Sequence, residues 1–112
     1  MYKNIEYDDI REMYYIYNGK RTRFPIPKEG VKYIKILCKT FNQNHESQYL
    51  NLDSDEVRYG HYFIDISSNK KRIYLSVFVD DMVLNKSYTK SFKFTYNEYK
   101  QFYKDLHEIE NN

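Results

Sequence analysis

The stretch Met13-Tyr14-Tyr15-Ile16-Tyr17-Asn18-Gly19-Lys20-Arg21-Thr22-Arg23-Phe24 decides how this chain is read. Two secondary structures compete for it. Ile10, Met13, Tyr14 and Tyr17 recur at i, i+3, i+4 and i+7, the spacing of one helix face. Against that, aromatic and β-branched residues favour extended backbone, and Asn18-Gly19 supplies the two positive-φ residues of a type I′ turn. The pattern favours a β-hairpin, with the helix as the open alternative. A two-residue loop pairs Tyr17 with Lys20, Tyr15 with Thr22 and Met13 with Phe24, and puts those six on one face. The opposite face then carries Tyr14, Ile16, Arg21 and Arg23, which interleaves aromatic and basic groups.

Beyond the hairpin, Pro25-Ile26-Pro27 is expected to end the extended segment, because Pro27 has no N–H to give a ladder. Residues 28–43 read as a helix. At about 100° per residue, Lys28, Lys32, Lys35 and Lys39 fall within roughly a 60° stripe. Val31, Ile34, Leu37, Cys38 and Phe41 take the far side, with Tyr33 at its margin and Ile36 half exposed between the two. Gly30 near the start weakens this helix by up to about 1 kcal/mol relative to alanine.

Asn42-Gln43-Asn44 closes the helix, and short strands follow at 48–52, 57–66, 72–79 and 88–95. Leu50 and Leu52, then Tyr62, Ile64 and Ile66, then Ile73, Leu75, Val77 and Val79, then Phe92 and Phe94 point inward. Such alternation marks an antiparallel sheet with one wet face. Thr95-Tyr96-Asn97-Glu98 is a capping box, and Tyr99, Phe102, Tyr103, Leu106 and Ile109 behind it follow helical spacing, so this last helix packs on the sheet. The expected class is α+β: an antiparallel sheet of about 4–6 strands, an N-terminal hairpin, a basic amphipathic helix and a capped C-terminal helix. The order of hairpin, further strand and capped helix resembles single-stranded-DNA-binding transcription coactivator folds, on the closing strand and capping box alone. That shape is shared by too many α+β domains to define a family.

A chain of 112 residues fits one domain, residues 1–112, and buries roughly two-thirds of its surface on folding. One cysteine, Cys38, excludes an internal disulfide and suits a reducing compartment. Met1-Tyr2-Lys3-Asn4 begins no apolar leader, and no apolar run approaches the roughly 20 residues of a membrane helix. A cytoplasmic protein without a membrane partner is therefore expected. Tyr, Lys, Asn, Ile, Phe and Met supply 57 of the 112 residues and there is no alanine, a usage written by AT-rich codons. It points to a low-GC bacterium or its phages and plasmids, and it accounts for part of the tyrosine content.

The net charge of +2 conceals blocks: −2 over residues 1–16, +6 over 17–42, −4 over 43–66 and +3 from Lys70, Lys71 and Arg72. Catalytic equipment is sparse. Gly19, Gly30 and Gly60 stand alone and form no phosphate loop; His45, His61 and His107 are isolated, so no metal-ligand spacing occurs. Cys38 lies on the apolar side of its helix, which suits an inert thiol. Asp80-Asp81 invites a Mg²⁺-dependent nuclease reading, but pairing leaves Arg58 and Tyr59 nearby and Asp65 at the far end, so a solvated turn explains the pair better. Asn85-Lys86-Ser87 matches a glycosylation sequon that has no meaning in a cytosol.

No enzyme activity, cofactor or metal is expected from this inventory. Tyr14, Arg21, Arg23, Lys28, Lys32, Lys35 and Lys39 form the candidate partner-binding set. The reading that fits best is a small phage or mobile-element accessory factor that binds and inhibits a host protein, such as a nucleic-acid-handling defence complex, in the manner of an anti-CRISPR protein. Direct nucleic-acid binding through the Lys/Arg/Tyr surface is the alternative, since cations neutralise phosphates while tyrosines stack on bases. An enzyme of unfamiliar type is the third. The acidic block at 43–66 favours a protein partner over a nucleic acid, which needs continuous positive potential.

Overall fold

A computed structural model describes residues 4–18, 22–53, 55–57 and 60–109. Its strands are β1 (Ile5–Asp8), β2 (Met13–Asn18), β3 (Thr22–Pro27), β4 (Gln48–Leu52), β5 (Gly60–Ser68), β6 (Ile73–Asp81) and β7 (Lys86–Phe94). A single 3₁₀ turn (Lys28–Gly30) leads into helix α1 (Val31–Asn44), and helix α2 (Tyr96–Glu108) follows β7. The strands divide between two antiparallel sheets, sheet A in the order β1-β2-β3 and sheet B in the order β4-β5-β6-β7. The α+β class, the helix after the hairpin and the C-terminal helix on the sheet are thus as expected. No helix among the described residues is long and apolar enough to cross a membrane.

Sheet B forms where the period-two pattern is strictest. Tyr62, Ile64 and Ile66 on β5 face Val79, Val77 and Leu75 on β6, and Leu75 and Ile73 face Phe92 and Phe94 on β7. All of these are buried, so across these positions the inner face of the sheet is core. Helix α2 begins as its sequence implies: Thr95 Oγ1 accepts from the Glu98 amide at 3.1 Å, and Glu98 Oε1 accepts from the Thr95 amide at 2.7 Å. Helix α1 buries Val31, Ile34, Leu37, Cys38 and Phe41 and ends on left-handed His45, whose amide donates to Phe41 O.

The hairpin exists, but its register differs from the expected one. Met13 pairs with Pro27, Tyr15 with Pro25, Tyr17 with Arg23 and Asn18 with Thr22. Residues 19–21 lie outside the described residues, as does the expected Asn18-Gly19 turn in part. The offset of three is odd, so it moves Phe24 to the face of Ile16 and Ile26, and all three are almost fully buried there. Grouping these large apolar side chains outweighs the local preference for a two-residue turn. Pro25-Ile26-Pro27 also stays extended instead of ending the strand; β3 is an edge strand, where a missing donor is tolerated. The preceding strand β1, unforeseen in the sequence, pairs with β2 from Ile5↔Ile16 to Asp8↔Met13.

Aromatic rings lock these layers together. Phe24 of sheet A stands edge-on to Phe92 of sheet B at 5.3 Å and to Phe102 of α2 at 5.5 Å. Phe94 meets Phe102 at 5.3 Å, and Phe41 of α1 meets Tyr99 of α2 at 5.9 Å. One cluster so formed draws buried side chains from both sheets and both helices.

Candidate functional site

The residues named from the sequence do not assemble into one surface. Tyr14 pairs with Ile26 and Arg23 with Tyr17, which sets Tyr14 and Arg23 on opposite faces of the ribbon and corrects their expected grouping. Tyr14 is half-buried with its ring 4.6 Å from Tyr7. Arg23 lies 4.0 Å over the Tyr15 ring and pairs with Glu6 at 3.2 Å. Arg21 falls outside the described residues. Lys28 belongs to the 3₁₀ turn, Lys32 and Lys39 are exposed on α1, and the Lys32 ammonium sits 5.1 Å from the Tyr33 ring. Lys35 has a structural duty instead: its ammonium donates to the carbonyl of Ile109, the C-cap of α2, where a cation also favours the helix dipole.

The geometry builds a different surface, on the face of sheet B turned away from the core. Its rows follow from the register. Asn51, Phe63, Phe78 and Thr89 align across the four strands, and Tyr49, Asp65, Ser76 and Ser91 align in the next row. Phe63 and Phe78 are therefore direct cross-strand neighbours, and the Tyr49 ring lies diagonally 6.0 Å from Phe63. Tyr49 is 71% exposed, Phe78 42% and Phe63 38%, which is unusual for rings in the middle of a wet sheet face. This trio was absent from the candidate set, although its signal was present: Phe63 and Phe78 occupy the outward positions of strands whose inward residues were already assigned.

Charge is distributed unequally around the rings. At one end Ser67, Tyr74 and Lys93 form the last row, and a shallow cavity of about 500 Å³ is lined by Asn69, Lys70, Lys71, Arg72, Tyr74 and Lys93. Asn69 orders this corner by accepting from the amides of Lys71 and Arg72 and donating to Tyr74 Oη. The other end is acidic. His61, Asp80 and Ser87 form its row, His61 lies 3.7 Å from Asp53, and Ser87 donates to Asp80 at 3.1 Å.

The groups considered for chemistry have other occupations. Burial pushes the Cys38 thiol up to about 12, so it carries no thiolate at neutral pH. Asp81 does sit at a turn, but it is buried, not solvated: its Oδ1 accepts from the amides of Val83 and Leu84, both at 2.9 Å. Among the described residues, no three of the His, Cys, Asp and Glu side chains converge in the manner of a metal site. Compared with known proteins, the chain matches no family model, no curated protein and no solved structure.

Proposed function

We propose that this is a non-catalytic binding protein that engages a protein partner through the open face of sheet B. The observation that carries the reading is the rigid aromatic trio Tyr49, Phe63 and Phe78, presented on a sheet between a basic and an acidic end. Aromatic side chains on a fixed backbone contribute large contact area at low entropic cost, and they dominate interface hot spots. A bipolar rim selects a partner of complementary polarity and disfavours a uniformly anionic strand. In this proposal the protein acts in the cytoplasm as a phage or mobile-element factor that inhibits a host nucleic-acid-handling complex, anti-CRISPR-like in role, a reading supported by the AT-rich residue usage and the sparse catalytic inventory.

Affinity capture from a host lysate, compared with the variant Tyr49→Ser/Phe63→Ser/Phe78→Ser, tests it. The partner should be retained by the parent chain and lost by the variant, which replaces exposed rings. Retention by both, or turnover of a nucleic acid by the purified protein, would sink the reading. Direct nucleic-acid binding is the second reading, favoured by the basic corner of Lys70, Lys71, Arg72 and Lys93 around Tyr74. It calls for affinity that falls steeply with salt and is lost in Lys71→Glu/Arg72→Glu.

A further inference from the structure

The inner face of β7 departs from apolar alternation over more positions than any other strand of sheet B. Phe92 and Phe94 are core, but Lys86, Tyr88 and Lys90 precede them at the same alternate positions. Lys90 pairs with Val77 and Tyr88 with Val79, both valines fully buried, so an ammonium and a phenol stand opposite aliphatic residues, while Lys86 pairs with the buried Asp81. Here the sheet A ribbon crosses above and leaves a groove of about 380 Å³. Arg11, Tyr15 and Arg23 line it on one side, and Lys86, Tyr88 and Lys90 on the other.

The cations in this groove are only partly offset by carboxylates: Asp8 and Asp81 act on Arg11 and Glu6 on Arg23. Among the described residues, no carboxylate lies within ion-pair distance of Lys86 or Lys90. Arg11 gives one Nη to Asp8 at 3.1 Å, yet its Nε is buried with no hydrogen-bond partner. Arg23 gives one Nη to Glu6 and lays its guanidinium over the Tyr15 ring, with no second carboxylate paired to it among the described residues. Asp81 is the carboxylate on the wall, with Oδ1 already engaged by two turn amides. Burial, with Arg23 beside it, holds the Lys90 ammonium below the ordinary lysine range, so positive charge here is mutually repulsive. Burial pushes the Tyr88 hydroxyl up to about 12, which keeps it a neutral donor. Concave cations with unused donors and a flanking phenol suit an anion of several oxygens.

We propose that this groove binds a phosphate-bearing ligand of mononucleotide size, with its phosphate oxygens between Lys86, Lys90, Arg11 and Arg23 and the Tyr88 hydroxyl donating to one of them. The volume lies within the range of small-ligand pockets, about 300–1,000 Å³. Lys86, Tyr88 and Lys90 alternate with Ser87, Thr89 and Ser91 and so point to the other side of β7 from the open sheet face, although Thr89 on this edge strand borders both.

Amide NMR titration of the whole chain at low salt, with pyrophosphate, ATP, adenosine and an oligonucleotide with or without a 5′-phosphate, tests this. Pyrophosphate and ATP should shift the amides of residues 86–90 and 13–15 saturably, and adenosine should not. ATP binding tighter than the 5′-phosphorylated strand assigns a free nucleotide; the reverse, with the unphosphorylated strand inert, assigns a strand end. Lys86→Gln/Lys90→Gln should weaken pyrophosphate about tenfold or more through lost charge-assisted hydrogen bonds, whereas Lys32→Gln/Lys39→Gln should leave it unchanged. Lys86→Gln alone, at an exposed position, keeps the test valid if the double variant misfolds. Shifts that do not saturate, equal affinity in Lys86→Gln, or tighter binding of a glutamate peptide than of pyrophosphate would overturn the proposal.

Discussion

Sheet A and sheet B are both antiparallel, yet they specify their registers by different means. In sheet B one face is core and the other is open, so a slip of one residue would exchange Ile64, Ile66, Leu75 and Val77 with residues adapted to water. In the β2–β3 ribbon of sheet A both faces are covered. Ile16, Phe24 and Ile26 are buried on one, and Met13, Tyr15, Pro25 and Pro27 on the other. No alternation survives, and register depends on which rings fit which neighbours. Pattern thus specifies pairing where one face is wet, and packing must do so where neither is.

The strongest way to break this contrast is to remove the ring that ties the ribbon to everything else. Phe24→Ala should destabilise the protein by about 3–5 kcal/mol, the usual cost of deleting a fully buried phenylalanine. Because Phe24 touches both Phe92 and Phe102, urea unfolding should remain a single transition, monitored by tyrosine fluorescence and by far-UV circular dichroism. Two separated transitions, with sheet B and α2 surviving the first, would make sheet A an appendage whose register owes nothing to the common core.

A smaller effect compares the turns of the two sheets. Each has an aspartate at the end of a strand whose Oδ1 accepts from the amides two and three residues later: Asp8 from Ile10 and Arg11, Asp81 from Val83 and Leu84. Asp81 is almost fully buried, so Asp81→Ala strands two amides at the connection into β7 and should cost about 1–2 kcal/mol. Asp81→Asn keeps the accepting oxygen and should cost measurably less in the same denaturation assay. Equal losses would show that charge, not turn geometry, matters there.

How much was legible follows the same division. The inward residues of β5, β6 and β7 and the capping box of α2 were readable because period two and the Thr95–Glu98 pair each admit one interpretation. Strand β1 was not, since four residues with Glu6 and Tyr7 exposed carry no apolar alternation. The hairpin partners were misread because Asn18-Gly19 is a local signal, and the deciding contacts of Phe24 lie nearly seventy and eighty residues away, at Phe92 and Phe102. Lys35 looked like one more solvated lysine because nothing local shows that the end of α2 lies beside it. The groove was invisible for the same reason: Arg11 and Lys90 meet only after two sheets pack.

The smallest expected effect is electrostatic and belongs to the turn of sheet A. The Arg11 amide hydrogen bond, helped by the Ile10 amide and the Arg11 guanidinium and opposed by partial burial, holds the Asp8 carboxyl below its ordinary value of 3.8. A carboxyl with a depressed folded-state value stabilises the fold wherever it is ionised in both states, so its contribution is fully present above about 3.8. It is lost as the pH falls from there through the folded-state value, because the unfolded chain takes up the proton first. Carboxyl ¹³C NMR should place the Asp8 midpoint below 3.8, with the Ile10 and Arg11 amides titrating alongside it. Asp8→Asn should remove that component of the acid-dependent stability while leaving the β1–β2 pairing in place. A midpoint at or above 3.8 would mean that the exposed turn of sheet A is not held by its aspartate, and that only the buried counterpart in sheet B is.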